Sequence, residues 1–122
     1  MKRLATMRKP ATFALMACAS LAFGVSAHAE CPFPKAPASI PDGKTASEPE
    51  MIAAMNAFKA YNEEVVAFGT CLDDEAKNSG ASGSQLMALK TMKSKKISAA
   101  QEELQTKAKL FNEQVRIFKA RG

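Results

Sequence analysis

Two thiols are the most tightly constrained chemical groups in this sequence. Cys31 and Cys71 are what remains once an N-terminal export segment is removed, because Cys18 and His28, the third cysteine and the only histidine of the 122 residues, leave with that segment. In an oxidising compartment such a pair closes a disulfide, with an intermolecular bridge or two free thiols as the alternatives. A chain without histidine lacks the commonest general base, metal ligand and haem ligand, and it cannot assemble a Ser-His or Cys-His pair. Most routes to an enzyme close here, and no cofactor is implied.

The remaining reactive side chains read as structural. Met51 and Met55 sit one helical turn apart and offer soft thioethers of the kind that hold Cu(I), but Met87 and Met92 fall toward the other end of the expected fold, so core packing is the better account. Asp73-Asp74-Glu75 has carboxylates for Ca²⁺ but no EF-hand spacing, and consecutive helical positions point in different directions. A catalytic carboxylate pair acting on glycan would have to come from Glu63 or Glu64 with Glu102 or Glu103, all of which sit among polar neighbours where solvation and i,i+4 pairing explain them. Tyr61, the sole tyrosine, belongs to an apolar stripe and is expected to pack its ring while its hydroxyl finds an acceptor. Lys90, Lys93, Lys95 and Lys96 read as a solvated face rather than an anion site.

The export segment is legible in residues 1–29. Lys2, Arg3, Arg8 and Lys9 form a basic n-region, Ala11 to Val25 is mostly apolar, and Ala27-His28-Ala29 is an A-x-A site that places cleavage between Ala29 and Glu30. Leu15-Met16-Ala17-Cys18 loosely matches a lipobox, which would make Cys18 an acylated first residue, but the apolar run continues past it to Val25. The run from 11 to 25 is also short for a stable membrane span, so no membrane insertion is expected after cleavage. The whole chain has 17 Lys+Arg, 12 Asp+Glu and a net charge of +5; the segment takes four cations, leaving 13 basic and 12 acidic residues, a net of +1. Nucleic-acid binding loses its support with that charge.

Three segments follow. Residues 30–46 carry four prolines and a Pro41-Asp42-Gly43 turn, which predicts an extended strap in which Phe33 and Ile40 are the large apolar side chains. Ser47 and Glu50 form an S-x-x-E capping box with Pro49 in the first turn, and a helix over 48–77 follows. Its stripe is Met51, Ala54, Phe58, Tyr61, Val65, Phe68 and Leu72, interrupted by Gly69. Residues 78–84 read as a flexible turn, and Ser84 then caps a second helix over 85–121. Its stripe is Ile97, Ala100, Leu104, Ala108, Phe111, Val115 and Phe118, while Leu86, Leu89 and Met92 start in a slightly different register.

Two long amphipathic helices with a short turn predict an all-α, antiparallel two-helix hairpin with coiled-coil-like packing, strapped by the Pro-rich segment. Charge favours it: residues 30–75 hold nine acids and three bases, and residues 76–122 ten bases and three acids. Counting from a turn centred near Ala81 sets Val65 by Ile97, Phe58 by Leu104 and Met51 by Phe111. The strap reaches the second cysteine, since about 36 Å of helix from Ser47 to Cys71 compares with roughly 50 Å of extended chain from Cys31 to Ser47. A second copy, as in a homodimeric four-helix arrangement, would bury whatever stripe the hairpin leaves open.

Cys31-Pro32, Ile40-Pro41-Asp42-Gly43, Ala46-Ser47, Glu50-Met51, Tyr61-Asn62, Cys71-Leu72 and Phe111-Asn112-Glu113-Gln114-Val115 together resemble a group of short exported proteobacterial proteins. The resemblance covers essentially all of the chain after the export segment and implies export and a cysteine pair, with no mechanism attached. The expectation is a periplasmic or secreted, non-catalytic helical binding or structural module whose partner is another protein. A lipidated tether anchored through Cys18 is the alternative, and a glycan-active enzyme a third.

Overall fold

The computed structural model describes residues 30–122. The expected export segment, residues 1–29 with Cys18 and with Ala29 at the expected cleavage point, lies outside the described residues. Within them the chain is all-α, with α1 over Glu48–Asn78 and α2 over Gly83–Ala120 packed as a hairpin and the extended strap laid against it. No helix among the described residues is long and apolar enough to cross a membrane.

The start of α1 follows from its capping box. The Ser47 hydroxyl oxygen accepts the Glu50 N–H at 3.4 Å, while the Glu50 carboxylate accepts the Ser47 N–H at 2.6 Å and its hydroxyl at 2.8 Å. The main-chain bond first, and the hydroxyl second, hold the Glu50 carboxyl below its ordinary value of 4.5. A depressed folded pKa contributes stability that is present above the unfolded value and is lost as pH falls through the folded one. Ser47→Ala is therefore expected to cost about 1 kcal/mol at neutral pH. Glu50→Gln, which does not titrate, should flatten the acid limb of stability below pH 4.5. Thermal unfolding by circular dichroism across the acid range measures both, and identical acid limbs for Glu50→Gln and the parent chain would remove Glu50 from the cap.

The reversal is tighter than the spacing predicts. α1 continues one residue beyond the expected 77, α2 begins at Gly83, and Ser82 rather than Ser84 is its N-cap residue, with no side-chain cap bond. Gly80 at φ +65 and Gly83 at φ +57 take the left-handed backbone that other residues avoid, so the chain turns within Ser79–Ser82. Ser79 closes the end of α1 by donating its hydroxyl to the Ala76 carbonyl at 2.9 Å.

The α1 stripe is realised almost whole. Met51, Phe58, Tyr61, Val65, Phe68 and Leu72 are buried, and Ala54 is half-buried. On α2 only Ala100 and Phe111 are fully buried; Ile97, Leu104, Ala108, Val115 and Phe118 are half-buried. The asymmetry has a simple cause: α1 packs on α2 along one flank and on the strap along another, so it loses more of its surface.

The pairing across the hairpin differs in part from the count made at the turn, although Met51 and Phe111 do line one groove as the count set them. Phe58 stacks on Phe111, ring centroids 4.9 Å apart and 15° from parallel, rather than facing Leu104. Ile97 reaches as far as Gly69, one turn beyond Val65, its Cδ1 3.9 Å from where a Gly69 Cβ would stand, and Asp73 pairs with Lys93. Between these points α2 advances from Lys93 to Phe111 while α1 retreats only from Asp73 to Phe58. A count from the turn fixes the pairing only if both helices advance equally, and the Asp73–Lys93 and Phe58–Phe111 contacts show that they do not.

The strap holds by its backbone as much as by its apolar side chains. Cys31, Pro34, Gly43 and Ala46 are its buried residues, whereas Phe33 leans edge-on against Phe68 at 5.4 Å and stays 48% exposed, and Ile40 is half-buried. Phe33 and Ile40 thus cover the apolar edge only in part, and the buried places on it go to Pro34 and to backbone at Gly43. At its far end the Asp42 carboxylate accepts the Lys44 N–H at 2.9 Å, closing an Asx turn, and the Gly43 N–H donates to Gln114 Oε1 at 2.8 Å. Arg121 then donates to the Lys44 and Ala46 carbonyls, both at 2.9 Å, with its guanidinium 4.7 Å over the Phe118 ring.

Gly43 touches the helix itself. A Cβ there would collide with the Gln114 carbonyl oxygen and stand 2.9 Å from the Phe118 nitrogen. Helix backbone cannot yield as a flexible side chain does, so Gly43→Ala is expected to lift the turn off α2 and cost about 1–3 kcal/mol. Denaturant titration checks the cost; a variant as stable as the parent would mean that the turn does not rest on α2.

Candidate functional site

The disulfide organises one end of the hairpin. Cys31 and Cys71 are joined, with Cα atoms 5.8 Å apart, and the Cys31 N–H donates to Glu75 Oε1 at 3.4 Å. The acidic run beside it disperses as helical geometry requires. Asp73 pairs with Lys93 across the hairpin, Asp74 lies 3.9 Å from Lys77 on the surface, and Glu75 serves the strap. No group of three or more His, Cys, Asp or Glu side chains suited to a metal ion forms among the described residues. A broad depression runs along Ala67, Cys71 and Asp74, open to solvent.

Of the four glutamates weighed as a catalytic pair, Glu64 and Glu103 carry charge close enough to bear on Tyr61, and Glu63, Glu64 and Glu102 are all exposed. Tyr61 is only 2% exposed, and its hydroxyl has no hydrogen-bond partner, contrary to the expectation that it finds an acceptor. Neither the Glu64 nor the Glu103 carboxylate comes within bonding distance of it. Burial chiefly, then the charges of Glu103 and Glu64, push the Tyr61 hydroxyl above its ordinary 10.0. A phenol so placed keeps its proton, the opposite of what an activated nucleophile or a base needs.

The methionines separate in the same way. Met51 is buried, whereas Met55, Met87 and Met92 are about half or more exposed, and the antiparallel fold places the last two at the opposite end from the first two. The lysine cluster divides: Lys93 and Lys96 turn inward toward Asp73 and Glu30, and Lys90 and Lys95 remain in solvent.

What the sequence reading did not locate is the face that the strap leaves uncovered. Ile52, Met55, Lys59, Asn62 and Val66 recur at three- and four-residue spacing on the flank of α1 away from the disulfide and the strap. Ile52, Met55 and Val66 are 46%, 48% and 64% exposed. Beside them a groove of about 200 Å³ opens between the helices, lined by the apolar Met51, Phe111, Val115 and Phe118 together with Glu48 and Lys119. The matching flank of α2 carries Ser98, Gln101, Gln105, Ala108, Asn112 and Val115 at spacings of three and four, without a charge, in a helix that has eight basic and three acidic residues. The signal was present as a second, weaker stripe, hidden by the stronger one that forms the core.

This arrangement defines a class by its architecture: a disulfide-strapped two-helix hairpin with one covered and one open face. No protein-family model, curated protein or solved structure matches the chain.

Proposed function

We propose that the protein is an exported, non-catalytic helical binding module of the bacterial periplasm, whose partner is another protein held on the open face of the hairpin. The observation that supports this most is the combination of a rigidly tied back, through Cys31–Cys71 and the Gly43–Gln114 bond, with an exposed stripe of Ile52, Met55 and Val66 on the front. Surface apolar residues scattered singly need no explanation, but a periodic row beside an open apolar groove is the form in which helical surfaces recognise partners. The disulfide agrees with an oxidising compartment, and the A-x-A site at Ala29 supplies the route there.

Two measurements test the reading. Intact mass of the exported protein should place its N-terminus at Glu30; a diacylated Cys18 would replace the soluble module with a membrane-tethered spacer. Affinity capture from envelope extract with the parent chain and with Val66→Asp should then differ in what is retained. Identical retained proteins for both would move the binding site away from this face.

A further inference from the structure

Resting on the binding-module reading, we infer that the open face docks a second copy of this chain, with α1 of each protomer laid on α2 of the other about a twofold axis, giving a four-helix arrangement with the two straps outermost. Three features of the face favour a self-complementary contact.

The first is the absence of charge where a twofold contact needs it. Every residue of an isologous interface is present twice, so a charged stripe would meet its own sign or be buried unpaired. Across the open face Lys59 is the one charge between Ile52 and Val66, and α2 presents none from Ser98 to Val115. Charges are depleted at the centres of protein interfaces for the same reason. Charges return only where the two stripes run out, at Glu48 and Asp73 on α1 and at Arg116 and Lys119 on α2, so the uncharged part is the centre of the contact.

The second feature is the distribution of charge that the hairpin leaves unused. α1 has seven acidic and two basic residues, and α2 eight basic and three acidic. Among the described residues only Asp73 and Lys93 form an ion pair between the helices. Laying α1 on α2 of a second copy sets each acidic helix against a basic one at the rim, whereas laying like on like would set net charge of one sign against itself. Electrostatics therefore selects the α1-on-α2 arrangement.

The third is shape and exposure. Ile52, Met55 and Val66 stand proud of the face, and the groove over Phe111 and Val115 lies beside them within the same surface, so a knob and a recess are present on one protomer. A surface that holds both can pair with itself, as knobs-into-holes packing of four helices requires. The small, polar-rimmed contact points to a reversible dimer rather than an obligate one.

Sedimentation equilibrium of the oxidised, purified protein, at concentrations up to about 200 µM, tests this in the range expected of a small interface. The expected result is a mass twice that of the chain, with dissociation promoted by salt. Val66→Glu should weaken the dimer on the order of 100-fold, because the charge enters the contact twice, while helicity and melting temperature stay at the parent values. Gln105→Glu, facing acidic α1 of the other copy, should weaken it more than Gln105→Lys. A single-chain mass at every concentration, or a dimer indifferent to Val66→Glu and to both Gln105 variants, overturns the inference. If the chain stays monomeric and yet binds a different envelope protein in a manner lost with Val66→Asp, the module reading stands and the self-association falls. If no binding of any kind depends on Val66, both fall.

Discussion

Phe58→Ala is expected to cost about 3–5 kcal/mol, the range for truncating a buried phenylalanine that its surroundings cannot replace. Phe58 is 8% exposed and lies in the middle of α1, where its ring stacks on Phe111, the most deeply buried large side chain of α2. Removing it deletes one half of that stack and opens a void between helices that cannot close by sliding, because α2 is tied to the strap at Gly43 and Arg121. A domain of this size has a total stability of only about 5–15 kcal/mol. A single truncation should therefore shift the denaturation midpoint severely or leave the chain partly unfolded. Lys95→Ala is the control, expected within about 0.5 kcal/mol because an exposed lysine gains little from surface pairing. Urea titration followed by helical circular dichroism compares the two. Midpoints for Phe58→Ala and the parent that coincide would mean that the stacked pair does not hold the hairpin together. Phe111→Ala should cost a similar amount, and the double variant less than the sum, since both remove the same contact.

Opening the Cys31–Cys71 disulfide is the second large effect. The bridge closes a separation of 40 residues, for which the chain-entropy model gives about 4 kcal/mol of stabilisation through the unfolded state. In the folded state it fastens the strap to the C-terminal half of α1, where Phe33 leans on Phe68 and Glu30 approaches Lys96. Reduction, or Cys31→Ala with Cys71→Ala, should lower the melting temperature substantially and loosen the strap's first residues. The other end stays fastened by Gln114 and Arg121, so helical content at low temperature should survive. Non-reducing electrophoresis should show a monomer before reduction. An unchanged melting temperature after reduction would remove the bridge from the energetics of the fold, and a disulfide-linked dimer as the main species would refute the intramolecular pairing.

The two large effects differ in how readily they can be seen from composition and spacing. The disulfide follows from cysteine number and an export segment, with the strap's reach as the only geometric requirement. The importance of Phe58 follows from its place in a 3–4 periodic stripe, but its partner does not. Counting from the turn paired it with Leu104, and the structure stacks it on Phe111, a contact set by how the two helices seat against each other rather than by distance from the turn. Tyr61 makes the same point for polar atoms: periodicity places its ring in the core, yet whether the hydroxyl finds an acceptor depends on the reach of Glu64 and Glu103 from two different helices.

The strap divides along the same line. Its extended course is written in Pro32, Pro34, Pro37 and Pro41, and its turn in Asp42-Gly43, each acting through the backbone within a residue or two. That Gly43 is needed because α2 passes against it, and that Arg121 caps three strap carbonyls, are facts about residues 71 to 78 positions apart. No local pattern encodes them.

By itself, then, the sequence determined two helices, the N-terminal cap of the first, their core-facing stripes, an extended strap and the cysteine pair, because helix periodicity, capping and proline geometry act over a few residues and are read directly from spacing. Only the tertiary structure decided the register between the helices, the backbone seat of the strap on α2, the unpaired Tyr61 hydroxyl and the choice of the face left open. Those depend on how the two helices seat their side chains against each other and on which flank the strap occupies, and both are set by contacts between distant parts of the chain rather than by any neighbour in sequence.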